Sequence, residues 1–335
     1  MRTDSPATSR AREIADDVLF PAALSTDQAE VVPRAHLDVL ADAGFYGLSA
    51  TKGVGGLELD MAEGLSVIEI LAGACLATTF VWMQHLGTAA TVSRIEGPAH
   101  DTFAAALATG RVRSGIAFSH LRRPGEPLLR AEPVPGGFSL TGTAPLVTGW
   151  GLTDVIHVAA RRGDAILWLL VDAGSAPSLT ARPLRLAAVN ASATVALCFT
   201  GHFVPDERLT LVESLADWLE SDATRLRPNG SLALGLSARC RSLLGPSPLD
   251  DECELVRAEL DRAGPDELPS ARARASLHCL HAAAALIAAR GGRSMTLEDH
   301  AQRLGREALF LLVQGQTPSV RAEQLAQLSV GDACA

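Results

Sequence analysis

A glutamine stands at a break between two predicted helices near the C-terminus. Apolar residues recur at helical spacing on both sides of the segment Gln-Gly-Gln-Thr-Pro at 314–318. Thr317 has the residue type of an N-cap and Pro318 that of a first helical position, so the pattern predicts a second helix from there. Its unpaired backbone N–H groups would point at a ligand, and Gln314 would offer an amide, which hydrogen-bonds but is a very weak base.

Two predicted strands end in residues that expose hydrogen-bond donors. The first runs into Ser119, and the second into Thr148, Gly149 and Trp150. Such ends leave backbone N–H groups and hydroxyls without strand partners. Brought together, they would present donors and one aromatic face to a planar, polar ligand.

Other candidate residues have simpler interpretations. The segment Lys-Gly-Val-Gly-Gly at 52–56 lacks the sequence context of a phosphate loop and is interpreted as a turn. His278 and His281 have metal-ligand spacing but no third ligand nearby, so we expect packing and no metal site. His85 ends an apolar helix and is expected to be a buried, hydrogen-bonded ring.

Composition excludes several functional classes. The 335 residues carry a formal net charge of −9 and no long basic run, which argues against nucleic acid as a partner. No apolar run approaches the ~20 residues that span a bilayer, and residues 1–17 have no signal-peptide core. We therefore expect a cytoplasmic protein with no membrane segment. Six scattered cysteines without CxxC spacing are expected to be reduced thiols: Cys75, Cys198, Cys240, Cys253, Cys279 and Cys334.

The hydrophobic period changes twice along the chain. It is helical over residues 1–112, close to two over 113–212, and helical again over 213–335. This order predicts an α+β fold with an N-terminal helical domain, a central antiparallel β-barrel or sandwich that ends near Pro205, and a C-terminal helical bundle. A dinucleotide-binding Rossmann domain is not favoured.

Five segments in order resemble the acyl-CoA dehydrogenase family. LADAGFYGLSATKGVGGLELD is similar to the family's segment between early helices, and FSHLRRPGEP stands where the family has Thr-Glu-Pro-Gly-x-Gly-Ser. FSLTGTAPLVTG resembles the strand pair with Trp-Ile-Thr-Asn, and FTGHFVPDERL the Phe-x-x-Val-x-Val-Pro segment. ARGGRSMTLEDHAQRLGREALFLLVQGQTPSVR resembles the closing region with Gly-Gly, Arg-Asp and Tyr-Glu-Gly-Thr.

The resemblance implies FAD held between the sheet and the bundle, and an acyl-CoA or similar small molecule as substrate. It also implies a homo-oligomer, a dimer or tetramer, because family members complete the FAD site with a neighbouring subunit. Carried over by position, the cofactor-binding residues would be Phe118, Ser119, Val147, Thr148, Gly291, Gly292 and Thr317.

Departures from the family pattern concern the base and the cofactor. Gln314 occupies the position of the glutamate that removes the substrate's α-proton, and the second family location for that glutamate falls near Arg225, with no carboxylate. Ala288 stands where relatives have a glutamine three residues before the Gly-Gly, and His120 replaces the glutamate of Thr-Glu-Pro-Gly. These changes weaken the predicted FAD site and leave the catalytic base unknown.

Three functions remain open at this point. The first is a flavin-dependent acyl-thioester oxidoreductase with an unassigned base. The second is a flavin-dependent hydroxylase or N-oxygenase, in which His85 or His120 would act as acid or base. The third is a non-catalytic subunit that completes the FAD site of an active homologue.

Overall fold

A computed structural model describes residues 5–224 and 226–329. Helices of the N-terminal part begin where the sequence supplies caps. Asp60 accepts a hydrogen bond from the Glu63 N–H at 2.8 Å, which starts the fourth helix. Gly44, at φ +76°, follows the end of the third. The helices are α1 (Pro6–Ile14), α2 (Ala23–Gln28), α3 (Arg34–Asp42), α4 (Met61–Ala74), α5 (Leu76–Val92) and α6 (Pro98–Ala108).

The central part of the described chain is one eight-stranded sheet with alternating or continuous burial along its strands. Seven strands pair in the order β6-β7-β3-β2-β4-β5-β8, and β1 pairs with β4. The strands are β1 (Ser114–Ala117), β2 (Leu129–Val134), β3 (Gly137–Val147), β4 (Val155–Arg162), β5 (Ala165–Asp172), β6 (Leu179–Pro183), β7 (Val195–Pro205) and β8 (Leu209–Ser214).

β1 and β2 lie one after the other along the same side of β4. Ser114 is paired with Val155 near the beginning of β4, and Arg130 with Arg161 near its end, both in parallel. Between them the chain leaves the sheet and forms a 3₁₀ turn over Ser119–Arg122. This interruption places the Phe118 segment beside the helices that cover the sheet.

The C-terminal helices pack on the N-terminal ones and share a hydrophobic core with them. α4 and α8 cross at very short range, because a Cβ on Gly235 would lie 2.1 Å from the Glu69 carbonyl oxygen. The helices are α7 (Leu215–Thr224), α8 (Arg227–Leu244), α9 (Leu249–Arg262), α10 (Leu268–Arg290), α11 (His300–Val313) and α12 (Pro318–Ser329).

The predicted α+β class and the helix, sheet, helix order are confirmed, and two details of the sheet differ. The described strands form one open pairing path and not a closed barrel or a sandwich, and β4 has parallel neighbours. The predicted end near Pro205 is wrong, since β8 continues to Ser214 on the edge of β5. Its Leu-Thr-Leu-Val pattern is short and adjoins a helical one, so pairing with β5 decides its conformation.

Three observations on the described residues bear on the predicted class of protein. None of the helices within 5–224 and 226–329 is both long and apolar enough to cross a bilayer. Within the same ranges no three His, Cys, Asp or Glu side chains group as metal ligands would. Cys75, Cys198, Cys240, Cys253 and Cys279 are free thiols, and Cys334 lies outside the described residues.

Candidate functional site

The helix break predicted around Gln314 is present. Gln314 is the C-cap residue of α11, with φ −67° and ψ 124°. Gly315 follows in the left-handed region at φ +62°. The Thr317 hydroxyl oxygen accepts a hydrogen bond from the Val320 N–H at 3.3 Å, as an N-cap does. The predicted cap and restart of the helix are therefore confirmed.

Gln314 faces a second amide, that of Asn229 in the first turn of α8. Gln314 Nε2 donates to Asn229 Oδ1 at 3.3 Å, whereas Gln314 Oε1 is buried and has no hydrogen-bond partner among the described residues. A Cβ on Gly315 would lie 2.4 Å from Asn229 Nδ2, so glycine is what allows this approach. Neither amide ionises, so the pair can orient a ligand but cannot remove a proton.

A buried arginine holds the end of α11. Arg272 Nη2 donates to the backbone oxygens of Leu311 at 3.0 Å and Gln314 at 3.4 Å. Burial lowers the pKa of Arg272 to about 10, so the guanidinium remains a cation near neutral pH. The C-terminal end of a helix carries partial negative charge, which a cation stabilises. Arg272 therefore fixes the Gln314 backbone from the side of the bundle core.

A cavity of about 440 Å³ lies where the N-terminal helices, the sheet and the bundle meet. Its wall includes Gln314 and Gly315 from the helix break and Phe118 from the interruption between β1 and β2. The rest of the wall comes from α5, from β1, β4, β5 and β8, from Arg122 in the 3₁₀ turn, and from α7 and α8. Its size falls within the roughly 300–1,000 Å³ of small-molecule sites. One partly open cavity thus joins the two segments that the sequence singled out.

The predicted strand ends meet beside this cavity. The Ser119 hydroxyl donates to the Pro145 carbonyl oxygen at 2.9 Å. The Phe118 ring lies 6.4 Å from that of Trp168 and 6.0 Å from that of Trp218, which is fully buried on α7. Phe118 is therefore held between the sheet and α7 with part of its surface towards the cavity.

At the end of β3 the side chains differ from the prediction. A register shift between Ala144 and Val147 interrupts the pairing with β7, and Leu146 there has φ +58° and is 54% exposed. Val147 and Thr148 are buried, and Thr148 Oγ1 shares a hydrogen bond with Thr194 Oγ1 at 3.1 Å. A ligand at this end would meet the Leu146 side chain and the backbone, because the Thr148 hydroxyl is used within the protein.

The two histidines considered as acid or base lie in the interior and not on the cavity wall. His85 Nδ1 accepts from the Ser114 N–H at 2.9 Å and its Nε2 donates to the Leu107 carbonyl at 3.0 Å. Burial lowers the pKa of His85 to about 3. His120 Nε2 donates to the Ala159 carbonyl at 2.7 Å, and burial lowers the pKa of His120 too. These contacts correct the assignment: both rings are neutral and join secondary-structure elements.

Ionisable side chains that the sequence interpretation missed line the cavity. Arg122 Nε and Nη2 donate to Asp222 Oδ2 and Oδ1 at 2.7 and 2.8 Å. Glu213 Oε1 accepts from Trp168 Nε1 at 2.6 Å. In the sequence, Arg122 stands out only as one of two adjacent arginines. Asp222 is 100 residues away along the chain, so no local motif predicts that the two side chains pair.

A third histidine, His157 on β4, does line the cavity. Thr210 Oγ1 donates to the Trp168 carbonyl at 3.1 Å, so it accepts from His157 Nε2 at 2.7 Å. Burial lowers the pKa of His157 to about 3, and the ring is therefore neutral across the physiological range.

Gly291 and Gly292 lie away from this cavity, in the exposed 3₁₀ turn that follows α10. A Cβ at either position would meet nothing within 4 Å. Neither glycine is among the described residues that line the cavity. Arg225, considered at the second base location, lies outside the described residues.

Comparison with known proteins gives consistent results. Residues 7–96 match the family model of the acyl-CoA dehydrogenase N-terminal domain. Benzylmalonyl-CoA dehydrogenase of Aromatoleum aromaticum is 30% identical over 66% of this chain and 62% of its own length. The 3-sulfinopropanoyl-CoA desulfinase of Variovorax paradoxus is 28% identical over 46% of this chain and 39% of its own length.

The fold is also that of solved structures. A glutaryl-CoA dehydrogenase from Mycobacterium smegmatis in complex with FADH2 superimposes with a TM-score of 0.81 and 16% identity, covering 98% of this chain and 94% of that one. The matched stretches of the two curated relatives span less than two thirds of their lengths, whereas the structural match spans nearly the whole chain. The family model, the curated relatives and the fold all point to the acyl-CoA dehydrogenase family.

Proposed function

We propose that this chain is an acyl-CoA dehydrogenase-like flavoprotein oxidoreductase that takes the acyl part of a thioester into the central cavity. The observation that carries the proposal is that Phe118 and Gln314 line one cavity of about 440 Å³. The names of both curated relatives denote a CoA thioester as substrate. Met83, Ile116 and Leu211 add apolar wall suited to an acyl chain.

The strand ends fit a flavin in part. The Ser119–Pro145 hydrogen bond brings them together, and the register shift exposes Leu146 beside them. We assign the backbone here to the flavin ring, and the positive end of α12 behind Thr317 to phosphate. FAD, when bound, would supply the hydride acceptor. The fit is weaker than the sequence predicted, because the hydroxyls of Ser119 and Thr148 are already engaged.

The amide pair favours a second candidate within the same family. Gln314 has the position expected of the family's base, Asn229 is its hydrogen-bond partner, and neither amide takes a proton. Removal of a sulfinate group, which the name of the Variovorax relative denotes, is not an α,β-dehydrogenation. A flavoprotein reaction on acyl-CoA that needs no α-proton base, including oxygenation, is therefore the alternative.

Oligomerisation is part of the proposal. Gly291 and Gly292 are exposed and do not line the cavity, which leaves them free to contact a cofactor held by a neighbouring subunit. We propose a homo-oligomer in which this turn meets the neighbour's FAD. A mixed oligomer with an active homologue is the competing arrangement.

The test starts with the full chain purified alone. Bound FAD in the purified protein and binding of acyl-CoA by calorimetry would support the proposal. A colourless protein that gains flavin only with a co-expressed homologue would instead identify a non-catalytic subunit. Bleaching of the flavin by acyl-CoA without oxygen indicates dehydrogenation, and bleaching only by an external reductant indicates the alternative chemistry.

A further inference from the structure

The central cavity holds a guanidinium that is already paired. We infer that the cavity selects acyl groups whose far end is neutral or cationic and rejects acyl groups with a second acidic group. The reason is that Asp222 already neutralises the charge of Arg122. The inference rests on the proposed function, since it takes the cavity as the acyl site.

The Arg122–Asp222 pair has the bidentate geometry of a strong ion pair, in which the carboxylate neutralises the charge of the guanidinium. Two parallel N–H groups meet both carboxylate oxygens at 2.7 and 2.8 Å. The two side chains are only 17% and 7% exposed, so water screens the pair weakly. Arg122 also lies over the Phe118 ring, with its guanidinium carbon 5.2 Å from the ring centroid. Its position is thus fixed by Asp222 and Phe118, and an anionic ligand that approached it would meet a charge that Asp222 already neutralises.

The rest of the wall offers an anion no positive charge. Arg122 is the one Lys or Arg side chain among the described residues that line the cavity, and Glu213 adds a second carboxylate. Glu213 receives a hydrogen bond from the neutral Trp168 N–H at 2.6 Å. His157, the remaining titratable group there, is buried and neutral. A ligand carboxylate would therefore lose its water and meet an excess of negative charge.

The same wall suits other acyl termini. Trp168 and Ile116 give apolar surface, and Gln84 gives an amide. The apolar surface of Trp168 and Ile116 favours an acyl group that ends in hydrocarbon. An acyl group that ends in an amide or ammonium finds hydrogen-bond acceptors in Gln84 and Glu213. The names of the relatives denote acyl groups with a second acid, sulfinate in one and malonyl carboxylate in the other. This chain is thereby assigned a different substrate class from theirs.

The first test compares two ligands that differ only in charge. Calorimetry on the full wild-type chain, carrying whatever FAD it retains, would measure succinyl-CoA against 3-carbamoylpropanoyl-CoA, its neutral amide isostere. The expected result is at least about tenfold tighter binding of the amide, from the strength of one charge-assisted contact. Equal or tighter binding of succinyl-CoA would overturn the inference alone. Binding of neither thioester would refute the proposed function, and the inference with it.

The second test releases Arg122. Asp222→Asn keeps the shape of the side chain and removes the charge, so succinyl-CoA should gain about tenfold or more over the wild type. Asp217→Asn, on the exposed side of the same helix, removes an equal charge and should leave the ligand ratio unchanged. A folded Asp222→Asn variant that still prefers the amide as strongly as the wild type contradicts the inference. If Asp222→Asn does not fold, Glu213→Gln takes its place as the test. This variant leaves the Arg122–Asp222 pair intact and should reduce the preference for the amide ligand over succinyl-CoA.

Discussion

Gly315→Ala tests whether the helix break and α8 are as close as the structure has them. Alanine at φ +62° costs about 1–2 kcal/mol for the left-handed backbone alone. Its Cβ would also lie 2.4 Å from Asn229 Nδ2, which must then move. Movement breaks the 3.3 Å hydrogen bond from Gln314, and the loss of this bond between two partly buried amides costs about 0.5–1.5 kcal/mol more.

Gly163→Ala is the matched control. Gly163 has φ +59°, and a Cβ there would meet nothing within 4 Å. It should therefore cost only the backbone term of about 1–2 kcal/mol. Urea unfolding of both variants and the wild type, at equal flavin content, gives the two losses in free energy of unfolding. The expected excess for Gly315→Ala is about 0.5–1.5 kcal/mol.

A third variant separates the contact from the backbone strain. In an Asn229→Ala background the side chain that a Cβ would strike is gone, so Gly315→Ala should cost no more than Gly163→Ala. The reasoning is refuted if Gly315→Ala in the native background costs the same as the control. That outcome would mean that Asn229 does not lie against the break.

Three further outcomes are expected. Gln314→Glu should raise the rate of anaerobic flavin reduction by acyl-CoA about 10²–10⁴-fold, the usual contribution of a general base; a flavin-loaded variant with no gain would place the α-carbon elsewhere. Arg272→Met should lower the free energy of unfolding by about 2–4 kcal/mol, because two carbonyls at the end of α11 lose a charged donor; a denaturation midpoint equal to that of the wild type would argue against it. The pKa of His157 is lowered from 6.5 to about 3, so below pH 6.5 the unfolded chain binds a proton that the folded chain does not. The free energy of unfolding should therefore be constant above pH 6.5 and fall below it by about 1.4 kcal/mol per pH unit for each such buried ring. His157→Gln should flatten that slope between pH 4 and 6.5, and an unchanged slope would count against a neutral ring.

The break at Gln314 illustrates what local sequence can predict. A helix boundary depends on a few adjacent residues, and Thr317 with Pro318 satisfies the cap and the first position. The helix, sheet, helix order was predictable for the same reason, because hydrophobic period is a local property. Even the interruption after β1 is foreshadowed by the polar residues from Ser119 onward.

The composition of the cavity wall was beyond such reasoning. Asn229 meets Gln314 from 85 residues away, and Asp222 meets Arg122 from 100 residues away. The sequence analysis considered His120 as an acid or base, but His120 donates to the Ala159 carbonyl in the sheet. Thr148 was likewise predicted to face a ligand, but its hydroxyl shares a hydrogen bond with that of Thr194.

The sequence by itself determined the class of fold, the helix break and the absence of an ionisable group at residue 314. Tertiary structure alone decided which residues share the cavity and which charges there are already paired. The physical reason is that caps and periodicity act within a few residues, whereas burial and ion pairing depend on segments that only folding brings together.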